Sequence, residues 1–279
     1  EKDVVARRVQ RLIDGGVRFE LNCTVGETIS FDALRAKHDA VLIATGVYNP
    51  KPLSAPNGQT LIAALDYLIA ANRTGLGDEV PAFTSGALDA KDRCVLVIGG
   101  GDTAMDCVRT ARRQGAKSVT CLYRRDRANM PGSQREVAHA EEEGVSFDWL
   151  AAPKSVRGGK TPGVKAVRVR LGAPDASGRQ APEETPDSAY DVAGDLIIAA
   201  LGSDAEDLPA LWGAPDLAKT RWGTLAVSAG TYATSLPGVF AAGDIVRGAS
   251  LVVWAIREGC DAADAMHAHI QQAAKVAAE

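Results

Sequence analysis

The 279-residue chain is 46% hydrophobic and 24% charged with a net charge of −4, an ordinary globular composition with enough material for two domains. That balance argues against a nucleic-acid-binding surface, and the apolar stretches near Val41, Leu196 and Leu251 are each broken early by Gly, Asp, Arg or Glu, so none reads as a membrane span. The five cysteines (Cys23, Cys94, Cys107, Cys121 and Cys260) form no C-x-x-C pair, which excludes a local redox disulfide and a local zinc or iron–sulfur cluster. Free thiols of this kind fit a reducing, cytoplasmic setting, and no metal site is expected.

In chain order, Val5, Val9, Leu12 and Ile13 recur at helical spacing up to Gly15-Gly16, and "VRFELN" (Val17 to Asn22) alternates as a half-buried strand does. The pattern begins at Glu1 without a Met, so the sequence is expected to be a fragment with no signal peptide. "AVLIATG" (Ala40 to Gly46) reads as a buried strand entering a small-residue turn. Pro50, Pro52 and Pro56 then mark a crossing between domains, a helix is expected around Leu61 to Asn72, and a loop over Gly75 to Lys91 follows.

The segment "VLVIGGGDTAMDCVRTARRQGAKSVTCLYRR" (residues 95 to 125) carries the strongest local signal. Val95 to Ile98 is a buried strand. Ala104, Cys107, Val108 and Ala111 form a helical stripe stopped by Gly115, and Ser118 to Tyr123 is a second strand. The first turn of this βαβ unit reads Gly99-x-Gly101-x-x-Ala104, the dinucleotide fingerprint in its required context. Gly99 permits the turn, Gly101 lets a pyrophosphate approach the backbone, and Ala104 lets the helix pack on the strand. The helix N-terminus, through Asp102 and Thr103, favours an anion. An NAD site would end the second strand with an acid for the ribose hydroxyls, yet Arg124 and Arg125 stand there, which points to the 2′-phosphate of NADP(H).

Further on, Ser133 and Glu136 have capping-box spacing and Gly144 closes that helix. Strands are expected at Val145 to Leu150 and Val164 to Leu171, then a polar, Pro-rich loop, then "DLIIAALG" (Asp195 to Gly202). This last strand echoes "AVLIATG": both end in a small residue, a variable residue and Gly, as where a backbone passes close to a nucleotide. "GVFAAGD" places Asp244 at a strand end, either a ligand acceptor or a turn cap, and a helix begins near Ser250.

Taken together and in this order, "AVLIATG", "VIGGGDTAMD", "YRRDRANMPGS", "DLIIAALG" and "GVFAAGDIVRGASLVVWAIREG" resemble the small (β) subunit of glutamate synthase and its relatives among ferredoxin:NADP oxidoreductases and dihydropyrimidine dehydrogenase. The resemblance covers essentially the whole chain. It implies an α/β fold in which a Rossmann-like NADPH domain (53–205) is inserted into an incomplete FAD-binding domain (1–52 and 206–279), like pyridine nucleotide-disulfide oxidoreductases but without the active disulfide. It also implies that Ala44, Thr45, Gly46 and Gly202 line cofactor, that Gly243 and Asp244 bind FAD with Asp244 accepting from the ribityl chain, and that Val253 and Trp254 lie at the flavin ring. Gly99, Gly101, Asp102, Thr103, Ala104, Arg124 and Arg125 form the NADPH set. The implied activity passes hydride from NADPH to FAD and electrons onward to a partner, the glutamate synthase large subunit. The alternatives are another acceptor, such as ferredoxin or a pyrimidine-reducing protein, and a redox-silent NADP(H)-binding fragment. The family's cluster-binding cysteines and first FAD fingerprint have no counterpart here, and iron–sulfur clusters are expected only in a preceding region.

Overall fold

The computed structural model describes residues 2–52, 61–158, 162–176, 178 and 180–278, with the side chains of 277 and 278 left aside. Pro56 of the expected crossing lies outside the described residues. The chain divides into two compact units, one formed by Glu1–Asn49 with Ser203–Glu279 and the other by Pro50–Gly202.

The first unit opens with α1 (Lys2–Asp14) and α2 (Phe31–Lys37), the latter started by Ser30, whose hydroxyl accepts from the Ala33 N–H at 3.1 Å. Val17 to Asn22, expected as a strand, forms none: among the described residues no strand pairs with it, and Val17, Phe19 and Leu21 are exposed. An alternating pattern becomes a strand only when a neighbour takes its backbone hydrogen bonds. Strand β1 is Val41–Ile43, and the chain leaves this unit through β2 (Asn49–Pro50).

In the second unit, β3 (Ile62–Ala63) precedes α3 (Ala64–Gly75), so the helix expected from Leu61 starts three residues later, after a short strand. A one-turn helix, α4 (Pro81–Thr84), interrupts the expected loop. Then come β4 (Cys94–Ile98), α5 (Asp102–Arg113), β5 (Ser118–Tyr123), α6 (Gln134–Glu142) and β6 (Ser146–Trp149). The Ser133–Glu136 capping box does not form: Ser133 makes no side-chain cap bond, and Glu136 is drawn instead to Arg109 on α5. Strands β7 (Ala151–Arg157) and β8 (Gly163–Pro174) are antiparallel. The stretch expected as a polar loop carries β9 (Gln180–Glu184) and β10 (Tyr190–Ala193), both laid along β8. The long β8 supplies the ladder that their own composition does not advertise; Pro182 is compatible with an edge. The unit closes with β11 (Leu196–Ala199).

The main sheet of this unit runs in the order β3-β11-β4-β5-β6, all parallel. Fully buried Val95, Val97, Met105, Val108, Val119 and Ile198 pack the sheet against α5 and α3. Tyr67 is completely buried, its hydroxyl donating to Gln114 Oε1 at 2.9 Å, and burial raises its pKa. Desolvation also lifts the Cys107 and Cys121 thiols, Cys121 to about 12.

The chain returns to the first unit through β12 (Ser203–Asp204) and α7 (Leu208–Leu211), followed by β13 (Val239–Ala241), α8 (Asp244–Arg247) and the long α9 (Val252–Ala278). Helix α9 begins two residues beyond the expected Ser250. β1 and β13 pair in parallel over a core of Phe31, Ile43, Leu208, Leu217, Leu225 and Ile245. No described helix is long and apolar enough to cross a membrane.

Candidate functional site

In the second unit, β4 is the strand from which the chain steps to β5 on one side while β11 flanks it on the other. That is a topological switch point, and ligands of open α/β sheets bind just beyond the carboxyl ends of such strands. The register pairs Ile98 with Leu122 and with Ala199, so the three strands end level with one another. The residues that follow them, Gly99 to Ala104, Arg124 with Arg125, and Ala200 to Gly202, therefore share one edge.

The glycine turn shows why its residues are small. A Cβ on Gly99, whose φ is +149°, would stand 2.1 Å from the Ala200 carbonyl oxygen, and one on Gly100 would stand 2.3 Å from the Tyr123 ring. Gly101 is different. It caps α5 with nothing within 4 Å of its would-be Cβ, leaving open space at the helix N-terminus. Ala104 is fully buried against the sheet. Thr103 is exposed in the first turn of α5.

Arg124 is exposed, and Arg125 is partly buried with its Nε buried and without a hydrogen-bond partner. A buried donor left unsatisfied costs about 1–3 kcal/mol, more when charged, so this guanidinium has the capacity to take a further acceptor. The arginine loop is fastened to the glycine turn: Gly132 N–H donates to the Gly100 carbonyl at 2.9 Å, and Ser133 N–H donates to Asp102 Oδ1 at 2.9 Å. Asp102 thus serves as a tether between the two halves of the edge. Gly100 and Gly132 were not singled out from the sequence, and Ser133 was read only as a helix cap; the third consecutive glycine beside an aromatic strand end was the available signal. Gly202 is exposed with φ +87°, and its carbonyl accepts from Lys51 N–H at 3.0 Å.

The first unit has a second edge of the same kind. β1 and β13 are in register from Val41–Val239 to Ile43–Ala241, which brings Ala44, Thr45 and Gly46 beside Gly243 and Asp244. Gly46 (φ +76°) and Gly243 (φ +77°) both need the backbone freedom of glycine. Thr45 Oγ1 is buried without a hydrogen-bond partner. Asp244 opens α8, preceded by Gly243 as its cap. Val253 and Trp254 lie in the first turn of α9, 60% and 47% exposed, and the Arg247 guanidinium sits 4.6 Å from the Trp254 ring centroid. Glu258, missed in the sequence, is 7% exposed and holds both Gly243 and Arg247. Its signal was a carboxylate in line with Ala255 and Ala262 on the inward face of α9.

An orphaned guanidinium N–H beside an open helix terminus suits a phosphorylated dinucleotide, and an orphaned hydroxyl beside a strand-end Gly-Asp suits a second, hydroxyl-rich one. Among the described residues no three His, Cys, Asp or Glu side chains converge to hold a metal ion. Two such edges in one chain have the residue chemistry expected of a dinucleotide-binding oxidoreductase scaffold. The signature of the pyridine nucleotide-disulphide oxidoreductases matches residues 4–259. The chain is 61% identical to a putative glutamate synthase [NADPH] small chain of Cereibacter sphaeroides, over 100% of this chain and 68% of that one. It is 57% identical to the glutamate synthase [NADPH] small chain of Azospirillum brasilense, over 99% of this chain and 58% of that one. Mycobacterium tuberculosis FprA, solved in complex with NADPH, shares the fold with a TM-score of 0.71 at 19% identity, over 92% of this chain and 69% of that one. The chain belongs to the pyridine nucleotide-disulphide oxidoreductase family and, within it, to the group of glutamate synthase small chains.

Proposed function

We propose that the intact protein is the NADPH-oxidising subunit of a glutamate synthase, with NADPH held by the second unit and FAD by the first. The observation that carries this reading is the pair of strand-end edges, one arginine-lined and one bearing Gly243-Asp244, in a chain 61% identical to a putative glutamate synthase small chain. When bound, the nicotinamide supplies a hydride and the flavin accepts it, which lets electrons leave one at a time toward a partner.

The residues of the chain bind and orient. The α5 N-terminus offers backbone N–H groups and a positive dipole end to the pyrophosphate, with Gly101 leaving room for its approach. Arg124 and Arg125 take the 2′-phosphate, and the Gly132 and Asp102 tethers keep their loop against the glycine turn. In the first unit, Ala44, Thr45 and Gly46 form a backbone wall with a hydroxyl, Asp244 accepts from the ribityl chain, and Val253 and Trp254 flank the ring. Gly202 closes the nucleotide edge at the end of β11. The onward partner is the large subunit, iron–sulfur chemistry belongs to a region outside this sequence, and the site of action is the cytoplasm, in keeping with free cysteines.

The test is the visible spectrum of the intact protein supplied with FAD and desalted, recorded before and after anaerobic NADPH. A retained flavin band that NADPH bleaches is the expected result. A colourless protein that still binds NADPH overturns the flavoprotein reading and leaves a nucleotide-binding protein.

A further inference from the structure

Tyrosines and cysteines aside, the buried polar side chains among the described residues are Thr224 and Glu258, and Glu258 is the one buried carboxylate. Thr224 is accounted for by its hydroxyl contact with Thr220 at 2.9 Å. A carboxylate in mid-helix, out of water, is costly unless it is paired and hydrogen-bonded. Its hydrogen bonds among the described residues run to the segment that follows β13. Oε2 accepts from the Gly243 N–H at 3.0 Å, and Oε1 accepts from Arg247 Nε at 2.7 Å and from its Nη2.

Gly243 has φ +77° and ψ −152°, a backbone region open in practice only to glycine, and it stands immediately before Asp244. Its N–H is fixed by Glu258, and its carbonyl accepts from Val246 N–H and Arg247 N–H at 2.9 and 3.0 Å. The peptide groups on both sides of Gly243 are therefore held, and with them the direction in which Asp244 leaves the strand. The same carboxylate grips the guanidinium that lies over Trp254. Stability alone does not call for this arrangement, because a well-packed apolar pair in place of a buried ion pair is often as stable or more so. What an apolar pair lacks is a directional acceptor for the Gly243 N–H.

We infer that Glu258 is a positioning residue for the flavin: through Gly243 it aims Asp244, and through Arg247 it steadies Trp254, without touching the cofactor itself. This rests on the reading that the β1–β13 edge holds FAD.

The experiment uses the intact protein stripped of flavin, with FAD affinity read by flavin fluorescence titration, the bound flavin by visible circular dichroism, and folding by far-ultraviolet circular dichroism. E258A is expected to weaken FAD roughly tenfold or more and to alter the visible dichroism, while NADPH affinity stays unchanged. The double variant R247M/E258M leaves no unpaired buried charge; it is expected to fold and to show a similar loss of roughly tenfold. E258Q keeps the shape and an acceptor oxygen, so its affinity should stay within a few fold of wild type, about 1 kcal/mol, with a changed dichroism band as the charge grip on Arg247 is lost. A folded double variant with wild-type affinity and spectrum overturns the inference. So does an unchanged affinity and band in E258Q, even where the other variants do not fold. D244A separates the two readings: if it binds FAD as wild type does, the flavin edge itself is wrong, whereas weakened D244A beside unaffected Glu258 variants defeats the positioning role alone.

Discussion

On the proposed reading the two units solve one problem, holding a dinucleotide at the end of parallel strands, with very different resources. The Pro50–Gly202 unit has a five-stranded parallel sheet, and its glycine turn, helix and second strand all come from one run of sequence. The edge of the other unit is built on one short parallel pair, β1 with β13, drawn from segments far apart in sequence, and among the described residues Leu12 is 51% exposed and Val252 70%. In the first case the site is rigid because its backbone is jammed against neighbours. In the second, a single buried carboxylate ties the turn in place. A turn wedged against neighbouring backbone is protected by packing, and one held by a side-chain carboxylate depends on individual polar bonds.

The cysteines give the widest measurable gap between the units. Cys107 and Cys121 are buried in the sheet–helix core with their thiols pushed up by desolvation, Cys121 to about 12, whereas Cys23 and Cys260 of the other unit are exposed. At pH 8, Cys121 should hold roughly a thousandfold less thiolate than an ordinary thiol, before burial slows access further. Timed alkylation followed by mass spectrometry should label Cys23 and Cys260 in minutes and spare Cys107 and Cys121 until unfolding. Equal rates would mean that the second unit opens as readily as the first.

A glycine series probes the same contrast through the backbone. Gly99→Ala drives a methyl into the Ala200 carbonyl, 2.1 Å away, and should cost about 3 kcal/mol or more. Gly243→Ala meets nothing closer than the Ala255 Cβ at 3.8 Å, so its cost is the strain of a positive φ alone, about 1–3 kcal/mol. Gly101→Ala has open space around it and should melt like wild type while losing NADPH affinity. Denaturant curves for the three variants test the order; a Gly243 variant worse than the Gly99 one would reverse the picture of which turn is packed.

The arginine pair comes next. Neutralising Arg124 or Arg125 removes a charge-assisted bond worth about 1.5–3 kcal/mol, hence roughly tenfold or more in NADPH affinity for each, with NADH nearly unchanged. Calorimetric titration of both nucleotides decides it, and an equal loss for the two would mean that these side chains do not read the 2′-phosphate.

How much of this was legible follows from the same contrast. The βαβ unit could be read because its period, glycines and strand ends all agree locally, and the structure keeps each of those elements. β9 and β10 could not be read, since Gln180–Glu184 contains proline and two acids and becomes a strand only by lying on β8. Val17 to Asn22 failed in the opposite sense, with the pattern present and the partner absent among the described residues. The capping box at Ser133 was lost to a competitor twenty-seven positions away, Arg109, which binds Glu136. Glu258 reads as a surface residue because its partners lie on another segment. Local chemistry was visible; any feature whose partner is distant in sequence was not.

The smallest effect concerns a second carboxylate, whose contrast with Glu258 tests whether solvent exposure sets the worth of a charge. Glu143, at the end of α6, is partly exposed and accepts from Arg113 and Arg109 of α5 at 2.8–3.1 Å. Hydrogen bonding to Arg113, then to Arg109, holds its pKa below the ordinary carboxylate value. A carboxylate lowered in the folded state adds stability that is present above its unfolded pKa of about 4.3 and is lost as pH falls through the lower folded value. Glu143→Gln should therefore destabilise the α5–α6 contact by under about 1 kcal/mol at pH 7, because Arg113 remains solvated, and by progressively less at an acid pH below the unfolded value. Hydrogen exchange of the α6 amides at the two pH values measures this locally. A deficit that persists undiminished in acid would assign the contribution to hydrogen-bond geometry, and a deficit of several kcal/mol at pH 7 would place Glu143 beside Glu258 as a desolvated anchor.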